Sequence, residues 1–226
     1  MCGRYAFFSP AEAIKRVFGV QDLPALEPRY NIAPTQAVPA VREGEGGRRE
    51  VALLHWGLIP SWARERSIGN RMINARAETL AERPAYRRAL RERRCLVLAD
   101  GWYEWQHTAS GKQPWFIRAG DGQPLGLAGL WDSWRDPASG ETTESCSIVT
   151  IDAPGRLADI HGRMPAVLAA EGFAAWLDSS QRDGGALSAL LRAPDAARFS
   201  AHPVGRQVND PRHEGPELVA PLAAAD

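Results

Sequence analysis

The spacing of turn-forming residues limits the fold of this chain more than any other feature. Twenty-one glycines and 17 prolines are spread along 226 residues. Apolar runs are therefore cut short, and the chain reads as many brief strands with a few short helices. Residues 38–42 and 50–56 read as two strands joined through GEGG, a hairpin signal. Residues 95–99, 101–106, 114–118, 125–131 and 147–151 read as further strands, and Asp121-Gly122 and Ser139-Gly140 mark turns between some of them. Residues 9–19 read as a helix, with Ser9 as N-cap, Pro10 in the first turn, Glu12 completing a capping box and Gly19 as the stop. Further helical segments are expected after Pro84, ending at 157–159, and over 173–177 and 186–191. The Pro-rich stretch 23–39 reads as a fixed loop, because apolar residues recur within it. This pattern predicts an α+β fold in a single domain over 1–226, with mostly antiparallel sheet curled into a distorted barrel and flanked by helices. No repeat, low-complexity tract or domain boundary stands out.

Charge narrows the function classes. Lys plus Arg and Asp plus Glu both total 27, so no strongly basic coat for duplex DNA exists. All but Lys15 and Lys112 of the positive residues are arginine, a side chain suited to phosphate contacts and stacking on bases. Three cysteines, Cys2, Cys95 and Cys146, imply no disulfide framework and suit a reducing, cytoplasmic setting. MCGRYAFFSP is not a signal peptide, and no stretch has the length of a membrane span. The five histidines are scattered and no C-x-x-C pair occurs, so no metal is expected. No phosphate-binding glycine loop implies a nucleotide cofactor.

Several residues could carry chemistry. Removal of Met1 would leave Cys2 as a 1,2-aminothiol, with an amine pKa of about 7.7–8.0 and a thiol pKa of about 8.5. An aldehyde would condense with the amine, and the thiol would then close a five-membered thiazolidine ring. An incidental cysteine at a loose terminus is the plain alternative. Glu104 lies in GWYEW, where strand alternation puts it on one face with Trp102 and puts Tyr103 and Trp105 on the other. Indole neighbours would desolvate it and raise its pKa into a range useful for acid–base work. His161 in DIHGRMP can pass a proton near neutrality, and Arg163 beside it could hold a phosphate. Asn74 in INARAET could orient a substrate hydroxyl or the terminal amine; standing alone, it would read as a turn residue. Among eight tryptophans, Trp56 and Trp62 flank GLIPS, and an exposed one could stack on unpaired bases.

Nine segments occur in order: MCGRY, RYNIAPTQ, WGLIPSWA, INARAET, RCLVLADGWYEW, LAGLWDSW, SIVTIDAP, DIHGRMPAVL and HPVGRQVN. Together, over residues 1 to 209, they resemble the SOS response-associated peptidase (SRAP) family of abasic-site processing proteins. The resemblance implies a small α+β domain with a distorted antiparallel barrel. It implies that Cys2 bonds covalently to the opened deoxyribose of an abasic site in single-stranded DNA. Asn74 would position the terminal amine and sugar, Glu104 would assist ring opening and Schiff-base chemistry, and His161 would supply a proton to the sugar oxygen. Arg4, Arg76 and Arg163 would contact phosphates, with Thr150 on the same path. Pro34 and Trp62 would wedge beside the lesion. Ala63 departs from family members that carry a second tryptophan there. Self-removal of Met1, lyase activity and association with the nucleoid when bound to DNA also follow as expectations. Two other readings stay open at this point: an N-terminal nucleophile amidohydrolase of the glutaminase type, which also begins Met-Cys-Gly, and a non-catalytic single-strand binding module.

Overall fold

The computed structural model describes residues 2–222. In chain order the elements are β1 (Tyr5–Phe7), α1 (Ala11–Phe18), β2 (Arg29–Ile32), β3 (Ala37–Glu43), β4 (Arg49–Trp56) and β5 (Asn74–Arg76). Then come α2 (Arg87–Glu92), β6 (Arg94–Ala99), β7 (Gly101–Thr108), β8 (Gly111–Ala119), β9 (Leu125–Arg135) and β10 (Thr142–Asp152). The chain continues through β11 (Arg163–Pro165), β12 (Val167–Leu168), α3 (Phe173–Leu177), α4 (Gly184–Leu190) and β13 (Phe199–Pro203).

Five strands close on themselves. β10 pairs with β4, β4 with β3, β3 with β6, β6 with β9, and β9 returns to β10. Only the β4–β10 pairing in this ring is parallel. Closure leaves the barrel strands few free edges. β6, RCLVLA, is buried along its whole length, since α2 and α3 pack over it. That double burial explains a continuous rather than alternating apolar run. Inside, Gly129 is required by close approach: a Cβ there would lie 2.8 Å from the Cys95 sulfur.

A second antiparallel sheet, in the order β13-β8-β7-β1-β2, shares the barrel's core. Tyr5 on β1 meets Trp56 at the end of β4, with ring centroids 5.3 Å apart. β7 alternates as its sequence predicts. Trp102 enters the shared core, while Tyr103 packs with Phe116, Val204, Val208 and Leu218 in a smaller cluster that Trp105 covers.

The α+β barrel with flanking helices is as expected; several details differ. Ser9 does not cap α1, whose N-cap position is Pro10. The backbone N–H groups of Phe8 and Ser9 donate to Asp100 at 2.5 and 2.8 Å, and the Ser9 hydroxyl bonds the same buried carboxylate. A stronger acceptor, distant in sequence, has taken the capping group. Gly19 does end the helix, at φ 65° with its N–H on the Lys15 carbonyl. The stretch 23–39 is not all loop, because 29–32 forms β2 against β1. Around 157–159 there is only a 3₁₀ turn, Gly155–Leu157.

Candidate functional site

The site forms where β10 runs beyond the barrel. One side of its C-terminal half pairs with β5 in parallel, Thr150 opposite Arg76. The other side pairs with β11, Asp152 opposite Arg163. Asn74, Arg76, Thr150 and Arg163 are thereby mounted on three adjacent strands.

Cys2 precedes β1 and is fully buried. The Asn74 side-chain amide donates to the Cys2 carbonyl at 2.7 Å. Asn74 is held from behind by the Tyr86 hydroxyl, which donates to its carbonyl at 3.2 Å. The Asn74 Oδ1 is buried and accepts no hydrogen bond from any described residue. Glu104 is 2% exposed, and burial pushes its carboxyl up to about 7. Burial, and then the nearby Glu104 charge, hold the Cys2 thiol well above its ordinary pKa. That thiol stays protonated at neutral pH.

His161 Nδ1 lies 3.8 Å from Glu104 Oε2. The Arg163 backbone N–H and carbonyl both lie 3.0 Å from the same Nδ1 and fix the ring against the turn. Burial lowers the His161 pKa, so the ring is neutral at pH 7. Two titratable side chains, Glu104 deeply buried and His161 partly open, thus lie together, and Glu104 is close enough to act on the Cys2 thiol.

The arginines divide. The Arg163 guanidinium is bound by Glu78 and Asp152, each at 2.6 Å, and by the Thr150 carbonyl at 2.7 Å. Burial opposes its charge, but these carboxylates outweigh it and raise its pKa. Arg4 donates to Asn31 and to the Val208 carbonyl, both at 2.7 Å, and burial lowers its pKa. Arg76 is exposed and makes no side-chain bond with any described residue. It lines a pocket of about 410 Å³ with Trp62, Met72, Asn74, Arg83 and Tyr86. Trp62 is 60% exposed there. Ala63 is buried against Ile59 and Trp134, and its carbonyl accepts from the Trp134 indole at 2.7 Å. Pro34 does not line this pocket; it sits on a turn tied to β4 by the Thr35 N–H and Trp56 carbonyl at 2.8 Å. Thr35 holds φ at 71°, a strained value for a β-branched residue.

Residues 1–211 match the family described as SOS response associated peptidase, SRAP. The chain belongs to the SRAP family. It is 38% identical over 223 residues to the abasic site processing protein YoqW of Bacillus subtilis, across 97% of this chain and 99% of YoqW. It is 30% identical over 264 residues to the abasic site processing protein HMCES of Gallus gallus, across 98% of this chain and 78% of that protein. A crystal structure of a protein from Bacteroides thetaiotaomicron superposes with a TM-score of 0.87 at 28% identity, covering 98% of this chain and 100% of the other.

Within this SRAP chain, sequence reasoning missed Tyr86, Arg83 and the two carboxylates on Arg163. Tyr86 stands in the arginine-rich stretch after Pro84 that reads as a helix, and Arg83 lies just before it, with no sign of a pocket in either. Glu78 and Asp152 are ordinary acids until β5 and β11 meet on β10. Among the described residues, no three His, Cys, Asp or Glu side chains gather to hold a metal ion, and no helix is long and apolar enough to cross a membrane.

Proposed function

We propose that this protein processes abasic sites in single-stranded DNA by bonding covalently to the ring-opened sugar through Cys2. The arrangement of Cys2, Asn74 and Glu104 carries the reading: a buried residue 2 whose backbone is held by an amide, beside a carboxyl that titrates near pH 7. The names of the relatives support the substrate class.

The chemistry follows from the pKa order. Once Met1 is removed, the Cys2 α-amine is the stronger nucleophile, because burial keeps the thiol protonated. The neutral amine adds to the sugar aldehyde. Glu104, half protonated near neutrality, gives a proton to the departing hydroxyl, and water leaves as the imine forms. The Cys2 sulfur then adds to the imine carbon, its proton passes to the nitrogen, and a thiazolidine closes. His161, neutral and partly open, serves the sugar ring oxygen during ring opening. Before the ring closes, the imine acidifies the neighbouring carbon, which opens a β-elimination route to strand cleavage. Arg76 and Trp62 receive the strand at the pocket mouth, and the extended, unpaired form is favoured because the lesion has to reach a buried Cys2.

The test mixes purified protein with a single-stranded abasic oligonucleotide and resolves the products on a denaturing gel, with intact mass measured alongside. A heat-stable adduct from protein lacking Met1 is expected. An adduct formed equally by protein that retains Met1, or ammonia release from glutamine without any adduct, would overturn the reading.

A further inference from the structure

The segment between β5 and β6 carries a second cationic feature beside the pocket. Residues 76–94 hold seven arginines and three glutamates. Most of these charges are spoken for. Glu78 binds Arg163, Arg88 binds Glu92 at 3.0 Å, Arg93 pairs with Asp132, and Arg94 donates to the Leu90 carbonyl at 2.7 Å. Arg76, Arg83, Arg87 and Arg91 are exposed and bond no described side chain.

Three of the four form a row. The Arg83 carbonyl accepts from the N–H groups of Tyr86 and Arg87, both at 2.9 Å, so the turn at Arg83 runs directly into α2. Arg87 and Arg91 lie four apart on one line of α2, and Arg83 stands four residues ahead of them on the turn that leads into it. Tyr86, Ala89 and Leu90 bury the opposite side. At about 1.5 Å rise per residue the row is about 12 Å long. That length matches roughly three to four stacked nucleotides at about 3.4 Å each. Its first member, Arg83, lines the pocket with Asn74 and Arg76. The other two line the next recess, of about 310 Å³, with Ala81, Arg88 and Glu92. Like charges four apart on a helix repel one another, so the empty row is unfavourable and a polyanion would relieve it.

We propose that Arg83, Arg87 and Arg91 form a backbone-phosphate track that carries the single strand out of the pocket, so that the protein grips several nucleotides to one side of the reacting sugar. This rests on reading the pocket as an abasic-site pocket. The track predicts an asymmetric footprint: nucleotides added on one side of the lesion strengthen binding, and those added on the other do not.

The experiment uses single strands with a reduced, unreactive abasic analogue, lengthened separately on the 5′ and 3′ sides. Wild type is compared with the double variant Arg87→Glu/Arg91→Glu. In wild type, three to four added nucleotides on one side should raise affinity about tenfold at low salt. The double variant should lose that gain, and its salt slope should fall by about 1.4, at about 0.7 per lost contact. Both proteins should show the same circular dichroism spectrum and unfolding midpoint, which shows that the variant is folded. Equal gains in the two proteins, or no gain in wild type on either side, would overturn the track. Because affinity is read on an unreactive strand, this result stands apart from the failure of any protein to form an adduct, which would count against the pocket reading instead.

Discussion

Glu104 is 2% exposed and Trp62 is 60% exposed, yet one lies beside Cys2 and the other in the pocket that Asn74 lines. The floor of the site is desolvated, and its groups have shifted pKa values because water is excluded. The mouth is wet, and its Arg76 and Arg83 are exposed and bond no described side chain. On the proposed function, water exclusion at the floor would govern proton transfer and the order of bond formation, while solvated charge at the mouth would govern capture and be screened by salt. Substitutions at the two places should therefore change different observables.

The largest effect should come from Cys2→Ala. The amine remains and the sulfur is gone, so the heat-stable adduct should vanish while an imine remains trappable by borohydride and strand cleavage persists. A heat-stable adduct from this variant without reduction would break the assignment of the floor to chemistry.

Glu104→Gln comes next. Loss of a general acid should slow adduct formation by about 10²–10⁴-fold with little change in binding to undamaged single strands. The same variant reports on burial. A carboxyl whose folded pKa is raised from 4.5 to about 7 adds stability below about pH 4.5, and that contribution is lost as pH rises through 7. Relative to wild type, Glu104→Gln should thus gain on the order of 3 kcal/mol in denaturant unfolding between about pH 5 and pH 8.5. A flat difference across that range would mean that Glu104 is not desolvated.

At the mouth, Trp62→Ala should weaken single-strand binding by about 1–3 kcal/mol, the usual worth of one stacked base. The rate of adduct formation at saturating DNA should stay unchanged. A loss of saturated rate would erase the distinction between floor and mouth.

The smallest effect tests Arg163. Glu78 and Asp152 occupy its guanidinium. Glu78→Gln should free it for phosphate and raise affinity a few-fold, in keeping with an exposed ion pair worth about 0–1 kcal/mol. Unchanged or lower affinity would show that Arg163 only braces β5, β10 and β11.

Some of this was readable in the residues alone. The alternation in GWYEW placed Glu104 with Trp102, away from Tyr103 and Trp105, because a strand has only two faces. The hairpin of β3 and β4 was legible from its turn, GEGG. β1 and β5 were not: three residues carry no alternation, and both exist because longer strands offer them partners. Ser9 misled because its preferred acceptor, Asp100, belongs to another element. The state of Arg163 was hidden in the same way, since it depends on acids from two other strands. Short-range pattern reported burial; pairings between distant segments decided which polar groups are left over.

β10 has one further consequence, for how the protein would come apart. Its first half closes the barrel, and its second half bears β5 and β11. The Ile148 amide donates to the Ile73 carbonyl, and the Ala166 amide to that of Val149. These amides should exchange with solvent only at the rate of global unfolding, more slowly than those of the 60–66 loop that presents Trp62. A DNA strand joined to Cys2 would be tethered beside the slowest-opening part of the molecule. Its clearance by a protease should be timed by barrel opening, not by access to the bond.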